Sequence, residues 1–228
     1  MNIKTMLQEM GEAFESKIDT DFQLQVHINI TDIEAEVTIG IKNKKVTITK
    51  GSHPSDITLI TTTDTMKKIY QGEMTAFTAA GKEKMSDPAP LDWKLSEGLQ
   101  FTPDIQKKLY FFVQHFFNVT DPEKIVLKET HSRVVHGGHA IPLYYYPGFR
   151  SGWFSVKKGE QINEPGDTNP FPQGIIVIKG SGKAKIKDTT ISIKAGESYY
   201  IPPDSDHVVW TESETPLEII WLAWGEGA

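Results

Sequence analysis

Short β-branched runs separated by tight turns constrain the fold of this chain more than any other feature. They are densest in Gln173–Trp210, where the runs IIVIK, KAKIK and TISIK follow one another closely. Between the runs, Gly180–Gly182 and Ala195–Glu197 are typical of tight turns. Many short strands at regular spacing, without a helical period, predict an all-β sandwich or barrel. The predicted strands of this half are Pro142–Tyr146, Gly152–Lys157, Ile175–Lys179, Lys183–Lys187, Thr190–Lys194, Ser198–Ile201, His207–Thr211 and Leu217–Trp224.

Composition and charge exclude several classes of function. The 228 residues include no cysteine, which excludes disulfides, thiolate zinc sites and cysteine nucleophiles. The net charge of −6 argues against a nucleic-acid partner, because such a partner requires a basic surface. The sequence MNIKTMLQEMGEAF has no continuous apolar run and predicts no signal peptide, and nowhere do about 18 apolar residues follow one another. We therefore expect a cytoplasmic protein without a transmembrane segment.

The first half of the chain combines helical and extended patterns. Helical spacing covers residues 3–18, and strict alternation of apolar and polar residues follows at Phe22–Ile28. A hairpin turn is predicted at Lys42–Lys44, where Asn43 can adopt a positive φ. The other predicted elements are strands at Ala35–Ile41, Lys45–Lys50, Ile57–Ile60, Lys82–Ser86 and Leu91–Lys94, and helices at Met66–Tyr70, Met74–Ala80 and after the N-cap Thr102. Residues 1–118 are thus expected to form an α+β domain, an antiparallel sheet with helices on one face.

This first half resembles the sterol-carrier-protein-like lipid-transfer domain. The resemblance covers about residues 5–118 and is clearest in ITLITTTDTMKKIYQGEMTAFTAAGKEKMSDPAPLDWKL, with one short helix ending at Gly72 and another at Ala79–Lys82. It implies an apolar tunnel that holds a fatty acyl chain, an acyl-CoA or a sterol, and it implies no catalytic residues. The candidate tunnel residues are Phe14, Met66, Tyr70, Met74, Phe77, Leu109, Phe112 and Phe116. The alternative for each of them is an ordinary core side chain, because packed interiors use the same residue types.

The two halves are expected to join near residue 119, which gives domains of residues 1–118 and 119–228. Pro122 follows the aromatic helix closely, and the residue before a proline disfavours helix. The next motif is the stretch His136–His139, HGGH. Its two histidines could reach one metal ion, but the glycines between them favour a loop.

The second half resembles the cupin family in IIVIKGSGKAKI and in AGESYYIPPDSDHVVW. The resemblance implies a small double-stranded β-helix barrel. The second motif of that family is a glycine, a proline and a histidine, and here these are Gly196, Pro202 and His207. The first motif keeps its final glycine as Gly180.

Most of the metal ligands implied by the cupin resemblance are replaced. Gln173 stands where the family has a glutamate, and the two histidine positions of the first motif fall at about Asp167 and Asn169. Transition metals favour imidazole and carboxylate ligands, whereas Asn169 and Gln173 offer neutral amide oxygens. We therefore expect no cofactor. The alternatives are a divalent metal at a degenerate site of His207, Asp167, Asn169 and Gln173, a vestigial barrel, a barrel that binds a small organic ligand without metal, and a metal-free general base at His207.

The alternation of strand His207–Thr211 predicts which side chains point outward. If His207 and Val209 point into the barrel, Val208 and Trp210 point out. An outward tryptophan requires cover from another strand layer, the N-terminal domain or a second subunit. Cupin-like proteins are often dimers, so the resemblance favours a homodimer.

Three functions follow from these patterns. The first is a non-catalytic two-domain binding protein, with a fatty acyl or sterol-like ligand in the N-terminal tunnel and the barrel as a sensing or dimerising module. The second is a cupin enzyme with a degenerate metal site, acting on an apolar substrate that the N-terminal domain delivers. The third is a scaffold in which neither cavity binds a small molecule. The aromatic and methionine-rich helices and the incomplete ligand set of the barrel favour the first.

Overall fold

The computed structural model describes residues 2–84 and 86–228 and divides into two compact units, Met1–Val126 and Leu127–Ala228. The sequence predicts a boundary near residue 119. The segment after that residue is held to the first unit by Glu123, whose carboxylate lies 2.6 Å from Lys17 Nζ and 2.7 Å from His115 Nδ1. Burial raises the pKa of Glu123, but the hydrogen bonds from His115 and Lys17 outweigh burial and bring the pKa below its usual value.

The first unit contains a five-stranded sheet in the order β3-β2-β1-β4-β5. Its strands are β1 (Leu24–Ile30), β2 (Ala35–Lys42), β3 (Lys45–Lys50), β4 (Ile57–Thr61) and β5 (Asp92–Leu95). Alternation in β1 buries Leu24, Val26, Ile28 and Ile30. The predicted hairpin joins β2 and β3, with Asn43 at φ 52°.

The prediction that this sheet is antiparallel was wrong for one pair of strands. β1 and β4 run parallel, with Val26 opposite Ile57 and Ile30 opposite Thr61. From the edge strand β3 the chain crosses the sheet and places β4 on the other side of β1. Alternation of apolar residues determines which face of a strand is buried but not the direction of the strand. The sequence therefore indicates the strands without the parallel pairing, and the architecture stays consistent with an α+β domain.

The helices of this unit begin at side-chain caps. They are α1 (Ile3–Glu15), α2 (Thr63–Tyr70), α3 (Ala76–Ala80) and α4 (Pro103–His115). The hydroxyls of Thr62, Thr75 and Thr102 each accept a hydrogen bond from a backbone N–H in the first turn. The predicted N-cap Thr102, followed by Pro103, is confirmed. Among the described residues, no helix has the length and apolar character needed to cross a membrane.

The predicted strand Lys82–Ser86 is not a strand in the part that the structure describes, and Met85 lies outside the described residues. The backbone N–H of Lys84 donates to the carboxylate of Asp87 at 2.9 Å, and the N–H of Asp87 donates to the Lys84 carbonyl at 2.9 Å. This reciprocal pair closes a turn, which the extended pattern of the sequence does not reveal.

The second unit consists of short strands and one 3₁₀ turn, Glu129–His131. One sheet has the order β13-β10-β15-β8-β7-β6 and a second has the order β12-β11-β14-β9. The strands are β6 (Arg133–Val135), β7 (Gly138–Tyr146), β8 (Phe149–Val156), β9 (Gln161–Ile162), β10 (Gln173–Lys179), β11 (Ser181–Ile186), β12 (Thr189–Lys194), β13 (Ser198–Ile201), β14 (His207–Trp210) and β15 (Leu217–Trp224). Every predicted strand has a counterpart, whereas β6 and β9 were not predicted. The HGGH stretch supplies the turn between β6 and β7, with positive φ at His136 and Gly137.

Both sheets of this unit contribute to one core. Its buried members are Val156, Ile162, Ile175, Val177, Ala184, Ile193, Ile201, Val209, Leu217 and Ile219. Ile175 shares a strand face with Gln173, and Val209 shares one with His207. The strands β10 and β14 therefore direct both of these polar candidates toward the common core.

Candidate functional site

His207 is enclosed at the start of β14, with 4% of its surface exposed. Its neighbour on the same strand face, Val209, belongs to the core. Val208 and Trp210 line a groove on the opposite face. His207 and Trp210 therefore lie on opposite faces of β14, as the alternation of the strand predicts.

Both ring nitrogens of His207 have protein partners. Nδ1 lies 2.9 Å from the carbonyl oxygen of Ser205, and Nε2 lies 2.9 Å from the amide Nδ2 of Asn163. A carbonyl oxygen only accepts, so Nδ1 carries the proton and donates it, and Nε2 accepts from Asn163. The nitrogen lone pair that a metal ion would need is therefore engaged by an amide of the same chain.

Asn163 is a site residue that sequence reasoning missed. It follows β9 at φ 63°, a left-handed conformation that asparagine tolerates better than most residues. β9 pairs with β14 so that Ile162 lies opposite Val209, and this pairing brings Asn163 to His207. The turn-like sequence around Asn163 is visible in the chain, but its contact with His207 depends on the pairing of two strands far apart in sequence.

Gln173 is the second enclosed candidate, with 1% of its surface exposed. Its Oε1 accepts a hydrogen bond of 2.8 Å from the indole Nε1 of Trp221. This bond fixes the amide with Oε1 toward the indole. Its Nε2 is buried and has no hydrogen-bond partner in the described part of the chain. Gln173 therefore presents a donor to the interior, whereas a metal ion requires an acceptor.

Asp167 and Asn169 both accept hydrogen bonds from backbone N–H groups. Asp167 is exposed, and its carboxylate accepts from the backbone N–H of Glu164 at 2.9 Å. The backbone carbonyl of Asn169 accepts from the N–H of Asp204 at 2.7 Å. Across residues 2–84 and 86–228, no group of three or more histidines, aspartates or glutamates is placed to hold a metal ion. One engaged imidazole and one amide do not fit a divalent transition metal.

A row of directly opposed residues crosses the six-stranded sheet from Gln173. Gln173 lies opposite Ala223 on β15, Ala223 lies opposite Arg150 on β8, and Arg150 lies opposite Tyr145 on β7. Opposed residues project from the same face of a sheet, so these side chains share one face. The Nε of Arg150 is buried without a hydrogen-bond partner among the described residues. The guanidinium carbon lies 5.9 Å from the ring centre of Tyr145 and 6.0 Å from that of Phe171.

Comparison with known protein families identifies the domain family of the second unit. The sequence profile of the cupin domain family matches residues 152–223. The C-terminal unit contains a cupin domain. The matched region includes Gln173 and His207 and begins two residues after Arg150. The profile does not extend to the N-terminal unit, so the sterol-carrier resemblance stays a prediction.

Two of the solved structures similar to this chain are cupins of low sequence identity. A Cupin 2 conserved barrel domain protein from Salinispora arenicola CNS-205 is 20% identical, with 45% of this chain and 88% of that chain covered and a TM-score of 0.41. An RmlC-like cupin from Shewanella frigidimarina NCIMB 400 is 17% identical, with 41% and 80% covered and a TM-score of 0.37. Likeness at this level says nothing about ligand or activity. No curated protein matches the chain.

Asp206 and Tyr199 are among the ionisable groups of the cupin domain whose pKa values are shifted. Hydrogen bonds from the Gly166 N–H and from Lys185 lower the pKa of Asp206, next to His207. The Tyr199 hydroxyl donates to the carboxylate of Glu197, which raises the pKa of Tyr199 to about 12. Both groups keep their ordinary ionisation state near neutral pH, so neither is a candidate acid or base.

The outer face of the six-stranded sheet in the cupin domain exposes several large apolar side chains. They include Phe149, Ile176, Ile178, Tyr200 and Trp224. The expectation of cover concerned Trp210 on the four-stranded sheet, so these residues do not test it, and the homodimer stays a prediction.

Three of the candidate tunnel residues in the N-terminal unit form a packed cluster. Phe14, Phe112 and Phe116 are fully buried. Their ring centres are separated by 5.9 Å for Phe14–Phe112, 5.6 Å for Phe14–Phe116 and 4.6 Å for Phe112–Phe116. Met66 and Leu109 are buried as well. Contacts of this kind are those of a core.

The remaining candidates of the N-terminal unit are less enclosed. Tyr70 and Met74 are half-buried, and Phe77 is 8% exposed. The Tyr70 hydroxyl donates to the carboxylate of Glu9, and the Phe77 ring lies 5.9 Å from that of Tyr110. Tyr70 ends α2 and Phe77 lies in α3, so these residues mark the part of the unit where a ligand could reach apolar side chains.

Proposed function

We propose that the protein is a non-catalytic, two-domain binding protein whose cupin domain holds a small ligand without a metal and serves as a sensing or dimerising module. The observation that carries this proposal is the engagement of His207 Nε2 by Asn163. The amide oxygen of Gln173 is likewise engaged, by Trp221. Both polar groups at the enclosed motif positions are thus held by the chain itself, which favours an organic ligand over a metal-assisted reaction.

The first prediction concerns metal content. Protein incubated with Fe²⁺, Mn²⁺ or Zn²⁺ and then dialysed should retain far less than one ion per chain, because one engaged imidazole is too small a donor set. Elemental analysis of the wild type and of His207→Ala should give the same background. Asn163→Ala is the matched variant, because it frees Nε2 of His207 from its hydrogen bond without adding a metal ligand. One ion per wild-type chain that His207→Ala loses would contradict the proposal and favour a metal-dependent enzyme.

For the N-terminal unit we propose a lipid-like ligand, a fatty acyl or sterol-like molecule, bound beside α2 and α3. Tyr70, Met74 and Phe77 support this position because they are apolar or aromatic and less enclosed than the phenylalanine cluster. Methionine adapts to ligands of different shape. The buried cluster of Phe14, Phe112 and Phe116, in contrast, would be the packed core against which the proposed site lies.

The second prediction concerns co-purified lipid. Protein from a heterologous host should yield acyl or sterol-like molecules on mass spectrometry of organic extracts. Met74→Asp should reduce the yield by about tenfold or more, because a carboxylate would have to be desolvated against the ligand. Val134→Asp is the control, since Val134 is 62% exposed and lies in the other unit. Equal lipid in both variants, or none in the wild type, would reject the lipid proposal.

A further inference from the structure

We propose that the cupin domain binds the carboxylate of a small organic acid between Arg150 and Gln173. The inference deepens the metal-free binding function proposed above and rests on it. Among the described residues, only three buried side-chain polar atoms lack a hydrogen-bond partner: Arg150 Nε, Gln173 Nε2 and His27 Nε2. His27 belongs to the other unit, whereas Arg150 and Gln173 lie in one cross-strand row. A buried donor without a partner destabilises a fold, and two in one row indicate an acceptor that serves both.

The strand arrangement places the two donors on either side of a small residue. Arg150 lies on β8 and Gln173 on β10, with Ala223 of β15 between them. Adjacent strands are about 4.8 Å apart, so the backbones of Arg150 and Gln173 are separated by about 10 Å. Ala223 carries only a methyl group and is fully buried. We place the proposed cleft between these two long side chains, beside Ala223, which packs with Phe171 and Ala228.

Both walls of this cleft donate hydrogen bonds. The amide oxygen of Gln173 is already used by Trp221, which leaves the Nε2 donor. Within the described part of the chain, the guanidinium of Arg150 contacts two rings and forms no ion pair. A guanidinium stays protonated at all relevant pH values and matches the two oxygens of a carboxylate in a forked geometry. The complementary group is therefore an anion with at least two acceptor oxygens.

Aromatic rings beside the cleft define the body of the ligand. Phe171 packs with Ala223, and Trp221 packs against the same cluster. These rings offer apolar surface to an alkyl or planar group next to the charged end. Inorganic phosphate or sulfate has no such group to bury. The arrangement fits a short-chain or aromatic monocarboxylate.

The test is a calorimetric titration of the full-length protein with acetate, hexanoate and benzoate, beside the neutral amides hexanamide and benzamide. At least one carboxylate should bind, and its amide should bind much more weakly. Arg150→Gln should lower the affinity for that carboxylate by about 10- to 100-fold, the range expected for loss of a hydrogen bond to a charged group. Gln173→Glu should lower the same affinity by a similar factor. The substitution replaces the Nε2 donor with a negative charge but keeps an oxygen that accepts from Trp221.

Lys187→Gln is the control for loss of a positive charge, since Lys187 is an exposed residue outside the row, and it should leave affinity unchanged. Circular dichroism checks that each variant is folded. If Arg150→Gln does not fold, Gln173→Glu still tests the inference. Equal affinity for carboxylates and amides, unchanged affinity in a folded row variant, or no binding of any of the three acids would overturn the inference. Stoichiometric metal at His207 would overturn the proposed function itself, whereas absent carboxylate binding in metal-free protein overturns only this inference.

Discussion

Phe112→Ala is expected to lower the free energy of unfolding of the N-terminal unit by about 3–5 kcal/mol, the usual loss when a fully buried phenylalanine is truncated. Phe112 has 0% exposed surface, and its ring contacts those of Phe14, Phe116 and Phe117. Truncation would remove the apolar surface of one ring and leave a cavity among the other three. The effect is large because these rings are already enclosed by each other and have little freedom to fill the space.

Urea denaturation followed by helical circular dichroism measures this loss, because the α-helices of the described residues all lie in the N-terminal unit. Phe101→Ala is the control. Phe101 is 44% exposed and stacks against Trp93, so its loss should be at most about 1.5 kcal/mol. A loss for Phe112→Ala no greater than for Phe101→Ala would mean that Phe112 lines a space open to ligand. The same experiment therefore separates a core from a tunnel.

Gly180→Ala is expected to destabilise the cupin domain by about 2–5 kcal/mol, because two effects act at one position. Gly180 has φ +77°, which residues with a Cβ rarely adopt, and a Cβ there would lie 2.5 Å from the backbone carbonyl oxygen of Pro216. A backbone atom cannot move aside as the end of a flexible side chain can. The alanine would therefore strain its own backbone and also displace the chain before β15.

Gly196 provides a matched control in the same domain. It has φ +89°, but a Cβ there would have no neighbour within 4 Å. Gly196→Ala should therefore show only the conformational effect, about 1–2 kcal/mol. Tryptophan fluorescence during denaturation reports this domain, since four of the five tryptophans, Trp153, Trp210, Trp221 and Trp224, belong to it. Equal losses in the two variants would show that the contact with Pro216 does not determine the effect.

Gly180 and Gly196 show what the sequence can predict about a turn and what it cannot. Both were recognised as motif glycines in turns, and both have the positive φ that a turn requires. The sequence could not distinguish them, because the contact of Gly180 is with a carbonyl on a remote loop. The strands of the second unit were predicted well for a similar reason, since short runs and turns are local signals.

The parts of the site that were missed depend on distant pairing. Asn163 reaches His207 only because β9 pairs with β14, and Arg150 joins Gln173 only through the register of β8, β15 and β10. Neither relation leaves a local pattern in the chain. The residue types at the motif positions, in contrast, are visible in the sequence, and the prediction of a poor metal site at Gln173 and His207 rests on them.

The position of β15 in its sheet has a consequence for synthesis of the protein. β15 pairs with β8 on one side and β10 on the other, although it follows both of them in the chain. Until Leu217–Trp224 has left the ribosome, both partner strands keep an unpaired edge, and such edges are prone to aggregation. Because Ala223 lies on β15, the row that joins Arg150 to Gln173 forms only when this strand pairs with both neighbours.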